Sequence, residues 1–521
     1  MDHGSVLFCA GALAPATSML LASLLPGLSS VPTAMLWRTF GILSGVALAG
    51  ICVALCAGAP AHDVLPMLDA SRLGLVVALL VQLLGGVIGG FSARYLEGEP
   101  GQRRYLAALA AVLAAVHLLL MADHWAILIV AWALAGAALQ YLLCFYPDRP
   151  FALLAAHKKR IADRAADLLL IGAGVLAWTE TGSGSLSDLW AHVGREGVSP
   201  SLQISAGCLV LAVILRTALL PVNGWLIQVM EAPTPVSALL HAGVVNLGGF
   251  VLIRFAPLLE HATVARGLLI AFGLGTAVLA GLVMLTRISI KVRLAWSTTA
   301  QMGFMVLECG LGLYTFAALH LIGHSLYKAH AFLSASMAVR QTRLQEMRGS
   351  MSPAPISLLL APAFAVPAVM SVPLVTGGTS WPWWWGATLG LAWAPVLWTP
   401  APRADIRRFC LHALSGLLTL LALTSLAALA HNVPLGTLDT PDAALGVVAL
   451  QGMAAMYVCL VVLQLRPQAL RSWRRWSYAG FYVDELYTRM AMRCWPTRWA
   501  PATPGVPRPD TPSFGKVATP N

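Results

Sequence analysis

Charged side chains are scarce in this sequence. They make up 11% of the 521 residues, against 58% hydrophobic residues, whereas a soluble domain usually carries about 25% charged residues. A soluble chain of this length would form two or more domains and would need polar side chains to coat them. The composition therefore excludes a secreted enzyme, a cytosolic enzyme and a nucleic-acid-binding protein.

Metal-binding cysteine patterns are also missing. The nine cysteines are scattered without a Cys-x-x-Cys pair, and the closest two, Cys52 and Cys56, lie in an apolar run. We expect them to be small buried residues rather than parts of a disulfide framework or a zinc site. We therefore expect no metal and no cofactor in this chain. Residues 1–4 lack the basic start of a signal peptide, which favours a first transmembrane helix.

Long apolar runs are what the sequence has in abundance. Runs of roughly 20 residues recur along the chain, which is the length that crosses the hydrocarbon core as a helix. They lack the alternation of membrane strands, and a helix satisfies its own backbone in lipid. We predict an all-α integral membrane protein with fifteen spans, at roughly 5–28, 36–57, 73–93, 105–122, 124–145, 166–179, 202–220, 235–255, 266–286, 290–310, 312–338, 356–376, 383–399, 409–430 and 443–465.

Lysine and arginine fall mainly in alternate loops. With fifteen spans, 27 of the 33 basic residues belong to one set of loops and the C-terminal tail, and four belong to the other set. The positive-inside rule then places the N-terminus outside and the C-terminus in the cytoplasm. We predict a polytopic membrane domain over 1–465, and a cytoplasmic basic amphipathic segment with a Pro-rich tail over 466–521.

Ionisable side chains inside the predicted spans are few, and each is a functional candidate because a charge at a helix centre costs roughly 2.5–3.5 kcal/mol. In span eleven, His320, His324 and Lys328 are four residues apart and therefore share one helix face, with His330 nearby. Such a ladder can pass a proton through water. The alternative is a structural polar stripe. Glu308, the one acidic residue well inside a predicted span, is the expected partner of Lys328.

A second group surrounds an expected break between spans seven and eight. Three prolines within 216–235 interrupt a helix there, and interrupted helices make room for ions in transporters. Arg216 cannot release its proton, so it is expected either to tune His241 as a fixed charge or to snorkel to the cytoplasmic face. The solitary His117 is expected to be structural. The candidate proton pathway comprises His320, His324, Lys328, Glu308, His241, Arg216, His330, Lys291 and Glu231.

Four segments carry a resemblance to a known superfamily. Residues 230–255 (MEAPTPVSALLHAGVVNLGGFVLIRF), the stretch 290–304, the span-eleven pattern and residues 481–487 (FYVDELY) resemble motifs of the antiporter-like proton-pumping subunits of respiratory complex I and of multisubunit cation/proton antiporters. The resemblance is strongest over about 200–340. It implies an antiporter-like fold with interrupted helices.

Three positions depart from the pattern of that superfamily. Its fifth span usually carries a glutamate after a tryptophan, but here Ala133 follows Trp132. Arg216 stands at the lysine position of the seventh span, and residues 341–465 contain no lysine. The usual lysine–glutamate pair of the first half and the lysine of the second half are therefore absent.

One branch of the superfamily fits these departures better. Segments 301–312 (QMGFMVLECGLG) and 323–333 (GHSLYKAHAFL), with the basic loop 157–160, resemble the DabB branch, the membrane subunits of the DAB inorganic-carbon pump. The resemblance implies a non-enzymatic, energy-coupling subunit of the bacterial inner membrane that conducts a cation, expected to be H⁺ rather than Na⁺.

The same resemblance implies a partner. This would be a large cytoplasmic DabA-type subunit similar to a zinc β-carbonic anhydrase, which would hydrate CO2 to bicarbonate and would hold the zinc. Two alternatives stay open at this point. One is a proton-pumping or Na⁺/H⁺ antiporter-like subunit of a respiratory or multisubunit antiporter complex, and the other is an anchor that docks the partner and conducts nothing.

Overall fold

The computed structural model of the chain describes residues 3–28, 30–58, 67–335, 353–376, 381–399, 406–466 and 468–496. In these residues the backbone is helical apart from short connections and two isolated β-bridges. The prediction of an all-α protein is therefore confirmed. The predicted Pro-rich tail beyond residue 496 lies outside the described residues.

Each of the fifteen predicted spans contains helix. Within the described residues, ten helical segments are long and apolar enough to cross a membrane, while the count of fifteen crossings stays a prediction. The helices of the first part are α1 (His3–Leu24), α2 (Thr33–Ala57), α3 (Arg72–Tyr95), α4 (Gln102–Leu120), α5 (Trp125–Leu143), α6 (Pro150–Thr181), α7 (Leu186–Glu196), α8 (Pro200–Arg216), α9 (Gly224–Gln228), α10 (Thr234–Ala242), α11 (Leu247–Arg254), α12 (Ala256–Leu259), α13 (Thr263–Met284), α14 (Ile290–Gly310) and α15 (Tyr314–Leu333). The later helices are α16 (Pro355–Thr376), α17 (Trp383–Trp393), α18 (Ile406–His431), α19 (Ala443–Leu465), α20 (Arg471–Tyr478) and α21 (Val483–Cys494).

Two breaks interrupt the middle of the chain. The predicted interruption around 216–235 is confirmed, since α8 ends at Arg216, α9 is a single short turn and α10 begins only at Thr234. The predicted span over 235–255 corresponds to Thr234–Arg254, which is long and apolar enough to cross a membrane, but it is not one continuous α-helix. Gly243 leaves the helical conformation (φ −125°, ψ −73°) and a 3-10 turn links α10 to α11, because a side-chain-free residue tolerates such a backbone.

Helix α6 is much longer than predicted. The sequence predicts a span at 166–179 preceded by a basic loop, but the helix begins at Pro150 and ends at Thr181, and Gly182 after it adopts a positive φ of 66°. Proline suits the first position of a helix and glycine suits the residue after its end. The basic loop is therefore wrong as a prediction, because Lys158 and Lys159 are buried side chains on a helix.

The core consists of two main hydrophobic clusters. The larger one draws on α2–α6, α8, α10, α11 and α15, and the second joins parts of α13–α15 to α16, α17 and α19. Helices α13 and α14 approach closely at Gly303, where a Cβ atom would lie 2.6 Å from the backbone nitrogen of Ala277. Small residues permit such close helix contacts in membranes.

The tail helices α20 and α21 pack at one end of the bundle. Asp484 on α21 pairs with Lys158 on α6, and the Arg287 guanidinium, between α13 and α14, lies over the rings of Trp296 and Tyr478. The end of the bundle where the tail meets the start of α6 is called the basic end below. Its placement on the cytoplasmic side stays a prediction.

Candidate functional site

Helices α10, α14 and α15 bring five of the predicted pathway residues together. These residues, called the imidazole cluster below, are His241, Glu308, His320, His324 and Lys328. His320 Nδ1 lies 2.8 Å from Glu308 Oε2, and the ring centroids of His320 and His324 are 6.1 Å apart. The four-residue spacing predicted this arrangement on α15, because residues one turn apart are neighbours on a helix face.

Lys328 is fully buried and has neutral partners. Its Nζ donates hydrogen bonds to the Leu294 carbonyl at 3.0 Å and to Ser297 Oγ at 2.8 Å, both on α14. The expected pairing with Glu308 is not observed, since Glu308 pairs with His320 instead. Eight residues of helix separate His320 from Lys328, which amounts to about 12 Å of axial rise.

Two histidines of the cluster have no hydrogen-bond partner among the described residues. Both ring nitrogens of His241 and both of His324 are buried and unpaired there. The His241 ring stacks on Phe332 with centroids 4.4 Å apart, and His324 lies on α15 one turn from both His320 and Lys328. A neutral imidazole has one nitrogen that accepts a proton and one that donates it, so these rings are suited to proton transfer.

Asn246 is a polar residue of this region that the sequence did not single out. Its Nδ2 donates to Ser325 Oγ on α15 at 2.7 Å and to the Ala242 carbonyl at 3.0 Å. Asn246 therefore links the break between α10 and α11 to α15, and this hydrogen bond holds α10 beside the cluster. A glycine followed three residues later by an asparagine in an apolar run was the available signal.

Arg216 belongs to a different group of charges. It forms an ion pair with Asp167 on α6, its Nη1 donates to the Trp132 carbonyl at 2.9 Å, and its guanidinium lies 4.9 Å from the centroid of the Trp132 ring. Arg216 is buried, so the snorkelling alternative is wrong. Among the described residues no hydrogen bond or ion pair joins Arg216 to His241.

Further ion pairs continue this group along α6. Lys159 pairs with Asp163 one turn away, and Gly136 on α5 leaves room between the two pairs, since a Cβ there would lie 2.9 Å from Asp163 Oδ2 and 3.6 Å from Arg216 Nη1. Together with Lys158–Asp484, the pairs Lys159–Asp163 and Arg216–Asp167 are called the ion-pair row.

The sequence held a signal for this row that went unused. Lys159, Asp163 and Asp167 are four residues apart, the same spacing that marked α15. Lys159 and Asp163 fall in the predicted basic loop and Asp167 at the first turn of the predicted span 166–179, so the three were not expected to share one buried helix face. The structure also shows that Glu308 is not alone, as Asp167 is a second buried carboxylate within a helix.

The tail provides the outermost pair of the row. The Asp484 carboxylate accepts a hydrogen bond from Gln228 Nε2 at 2.9 Å besides its ion pair with Lys158. Gly224 permits this contact, since a Cβ at that position would lie 1.4 Å from Asp484 Oδ1. Tyr487 donates its hydroxyl to the Lys158 carbonyl at 2.7 Å. Burial raises the pKa of the Tyr487 phenol, and the Asp163 and Asp484 carboxylates raise it further.

The remaining predicted residues lie apart from both groups. Lys291 Nζ donates to Thr234 Oγ1 at 3.0 Å at the start of α10. The backbone carbonyl of Glu231 accepts from Arg149 Nη1 at 2.6 Å. His330 is exposed on α15. Their predicted part in the pathway is therefore not supported by contact with the imidazole cluster.

Comparison with known proteins identifies the family. The sequence model for the transmembrane region described as "NADH:quinone oxidoreductase/Mrp antiporter, TM" matches residues 122–381. The "Probable inorganic carbon transporter subunit DabB" of Hydrogenovibrio crunogenus is 38% identical over 443 residues, which are 82% of this chain and 83% of that protein. The chain belongs to the DabB family. A second family member, DabB2 of Halothiobacillus neapolitanus, is 47% identical over 269 residues, covering 51% of this chain and 49% of its own length.

A solved structure shares the fold of this DabB-family chain. A chain of the Mrp complex from Dietzia sp. DQ12-45-1b aligns with a TM-score of 0.59 and 23% identity, covering 92% of this chain and 59% of that one. The predicted antiporter-like fold is therefore confirmed. The chain is a multi-pass integral membrane protein, and its relatives among bacteria agree with the predicted bacterial inner membrane.

Proposed function

We propose that this chain is the energy-coupling, cation-conducting membrane subunit of a complex that accumulates inorganic carbon. The observation that carries the proposal is the imidazole cluster, a buried amine and two unpaired imidazoles inside a DabB-family chain. Ionisable groups in a membrane interior are expensive and usually mark an ion pathway. The inorganic-carbon role rests on the name of the relative that matches 82% of this chain.

The contacts suggest an order of proton transfer. A proton from the side opposite the basic end meets the hydrogen-bonded pair Glu308–His320 first. It then moves to His324, one turn along α15, and from there to Lys328, with His241 beside both. Lys328 Nζ, held by Ser297 and Leu294, is the member nearest the basic end. Water would bridge the gaps between rings, as direct hydrogen bonds do not span 6.1 Å between centroids.

The chemistry of the cluster favours H⁺ over Na⁺ as the cation. Hard cations such as Ca²⁺ and Mg²⁺ take oxygen ligands, mainly carboxylates and carbonyls, and we extend that preference to Na⁺. The cluster contains three imidazoles, one amine and a single carboxylate, and that carboxylate is already paired with His320. Imidazole, in contrast, changes its protonation near neutral pH.

The partner in this proposal is a large cytoplasmic DabA-type subunit similar to a zinc β-carbonic anhydrase. Proton flow through the membrane subunit would drive hydration of CO2 to bicarbonate in one direction. The zinc and the catalysis would belong to that partner, and this chain would supply coupling only. The word "subunit" in the name of the relative supports an assembly of more than one chain.

Growth in air tests the proposal. In a strain that needs this transporter to grow without added CO2, Lys328→Ala and His324→Ala should abolish growth, because each removes a proton carrier. The matched control is His330→Ala, which removes an exposed histidine from the same helix and should leave growth unchanged. Undiminished growth of both cluster variants, at equal amounts of protein in the membrane, would contradict the pathway.

A second candidate function is a proton-pumping or Na⁺/H⁺ antiporter-like subunit of a respiratory or multisubunit antiporter complex. The description of the matching sequence model favours it, although the match over 82% of the chain is to a DabB protein. Purification from the native membrane separates the two. A large zinc protein that co-purifies supports the first function, and quinone or flavin subunits support the second.

A further inference from the structure

Helix α6 carries one continuous exposed stripe. Exposed side chains recur every three or four residues along it and therefore lie on one face of the helix. The stripe is basic near the start of the helix and apolar further along: Arg160, Arg164, Leu168, Ile171, Val175 and Trp178. The opposite face of α6 is buried in the bundle and holds the ion-pair row.

A pocket of about 280 Å³ opens at the basic part of this stripe. Its lining contains two arginines and no acidic residue: His157, Arg160, Ile161, Arg164, Trp495 and Pro496. Arg164 Nη1 lies 3.2 Å from Asp167 Oδ2. Arg160 forms no ion pair or hydrogen bond within the described ranges. The pocket therefore has an excess of positive charge with one uncommitted guanidinium.

The apolar part of the stripe has the dimensions of one lipid leaflet. From Leu168 to Trp178 the helix rises about 15 Å, half of the roughly 30 Å hydrocarbon core. Leu168 is 70% exposed and Trp178 is 56% exposed, so nothing in the described chain covers this face. A molecule that fits both parts of the stripe needs an anionic group at one end and an apolar chain at the other.

We propose that this pocket binds the phosphate of an anionic phospholipid, with an acyl chain along Leu168, Ile171 and Val175. Guanidinium groups match phosphate geometry with paired N–H donors, and basic pockets between membrane helices bind such headgroups. Because His157 Nε2 bonds to the Trp495 carbonyl at 2.8 Å, the lipid would touch both α6 and the end of α21. It would thereby fasten the tail to the bundle.

Lipid retention by the purified full-length chain tests this inference. The protein in neutral detergent is incubated with phosphatidylglycerol or with phosphatidylcholine, and bound lipid is counted by native mass spectrometry. We expect phosphatidylglycerol to be retained over phosphatidylcholine and Arg160→Gln to weaken that retention about five-fold, the effect of one basic residue near an anionic lipid. Arg94→Gln removes an exposed arginine at the end of α3 and should change nothing.

Two further arms separate a lipid from a soluble anion. Leu168→Ser should weaken retention of phosphatidylglycerol, because the acyl chain lies along the stripe. It should not change any stabilisation of the protein against thermal unfolding by inorganic phosphate or bicarbonate, since these anions have no acyl chain. If phosphate alone stabilised the protein against thermal unfolding as much as phosphatidylglycerol does, the lipid assignment would be overturned in favour of a free anion. Equal loss of retention in Arg160→Gln and Arg94→Gln would overturn the site itself, since general surface charge would then explain the binding.

Discussion

The imidazole cluster and the ion-pair row are both buried and polar, but outside the Glu308–His320 pair the cluster lacks the opposite charges that the row has. In the row each charge meets an opposite charge, as in Arg216–Asp167 and Lys159–Asp163. In the cluster Lys328 is held by a carbonyl and a hydroxyl, and His241 and His324 have no partner in the described parts of the chain. Paired charges resist a change of protonation, whereas unpaired titratable groups permit it. We therefore expect the row to stabilise the fold and, under the proposed function, the cluster to carry the cation.

The largest loss of stability is expected from Arg216→Met, in the ion-pair row. The substitution leaves the Asp167 carboxylate buried with Arg164 alone, and breaking a buried pair by removing one partner costs about 3–5 kcal/mol. Unfolding of the purified protein in detergent measures this loss. The double variant Arg216→Met/Asp167→Leu should recover most of it, because no uncompensated charge remains. A stable Arg216→Met protein that lacks cation flux would instead make the row part of the pathway.

A smaller loss of stability is expected from Asp484→Asn, at the ion pair that joins the row to the tail. The fully buried Lys158 loses its counter-charge, and a hydrogen bond to a charged group is worth about 1.5–3 kcal/mol, less here because Asp484 is partly exposed. The tail helix α21 should loosen, with faster hydrogen exchange of the amides of residues 483–494. Arg489→Gln removes an exposed charge from the same helix and is the matched control. Equal exchange in both variants would show that Asp484 does not hold the tail.

His117 serves as a contrast to His241 and His324, because it is a buried histidine that has a hydrogen-bond partner. Its Nε2 lies 2.8 Å from Gln82 Oε1, and Gln82 Nε2 donates to Ser44 Oγ at 2.7 Å. His117→Leu should cost about 1–3 kcal/mol because it leaves a buried amide oxygen unpaired. Cation flux per folded molecule in proteoliposomes should stay at the parent value. A loss of flux without a loss of stability would place His117 in the pathway.

The helical fold and the ladder of the imidazole cluster on α15 could be predicted from the sequence, for a clear physical reason. Lipid enforces helices and makes an ionisable group in an apolar run conspicuous, so the ladder on α15 was visible. The pairing of Glu308 was predicted wrongly, because the short turn between α14 and α15 places the end of α14 beside the first turns of α15. Glu308 therefore meets His320, whereas Lys328 lies about 12 Å further along α15 and meets the start of α14.

The ion-pair row was not predicted, because the local composition of its segment indicates a loop. Residues 157–164 are as basic as a loop, and only the continuation of α6 to Pro150 turns Lys158 and Lys159 inward. Asp484 lies more than 300 residues from Lys158 in sequence, so no spacing rule connects them. Tertiary contacts of this kind need the structure, as does the break at Gly243 that positions Asn246 and His241.

The smallest change in stability is expected within the cluster, from His241→Phe. The new ring keeps the stack on Phe332 and leaves no polar partner unsatisfied, since neither nitrogen of His241 has one among the described residues. Stability should therefore stay within about 1.5 kcal/mol of the parent, the range for a buried swap of similar volume, while flux should fall about 100-fold if the ring transfers protons. A pH-sensitive dye inside proteoliposomes measures the flux. A parent-like flux would remove His241 from the pathway and leave α15 as the carrier, because His320, His324 and Lys328 would then suffice without a group from α10.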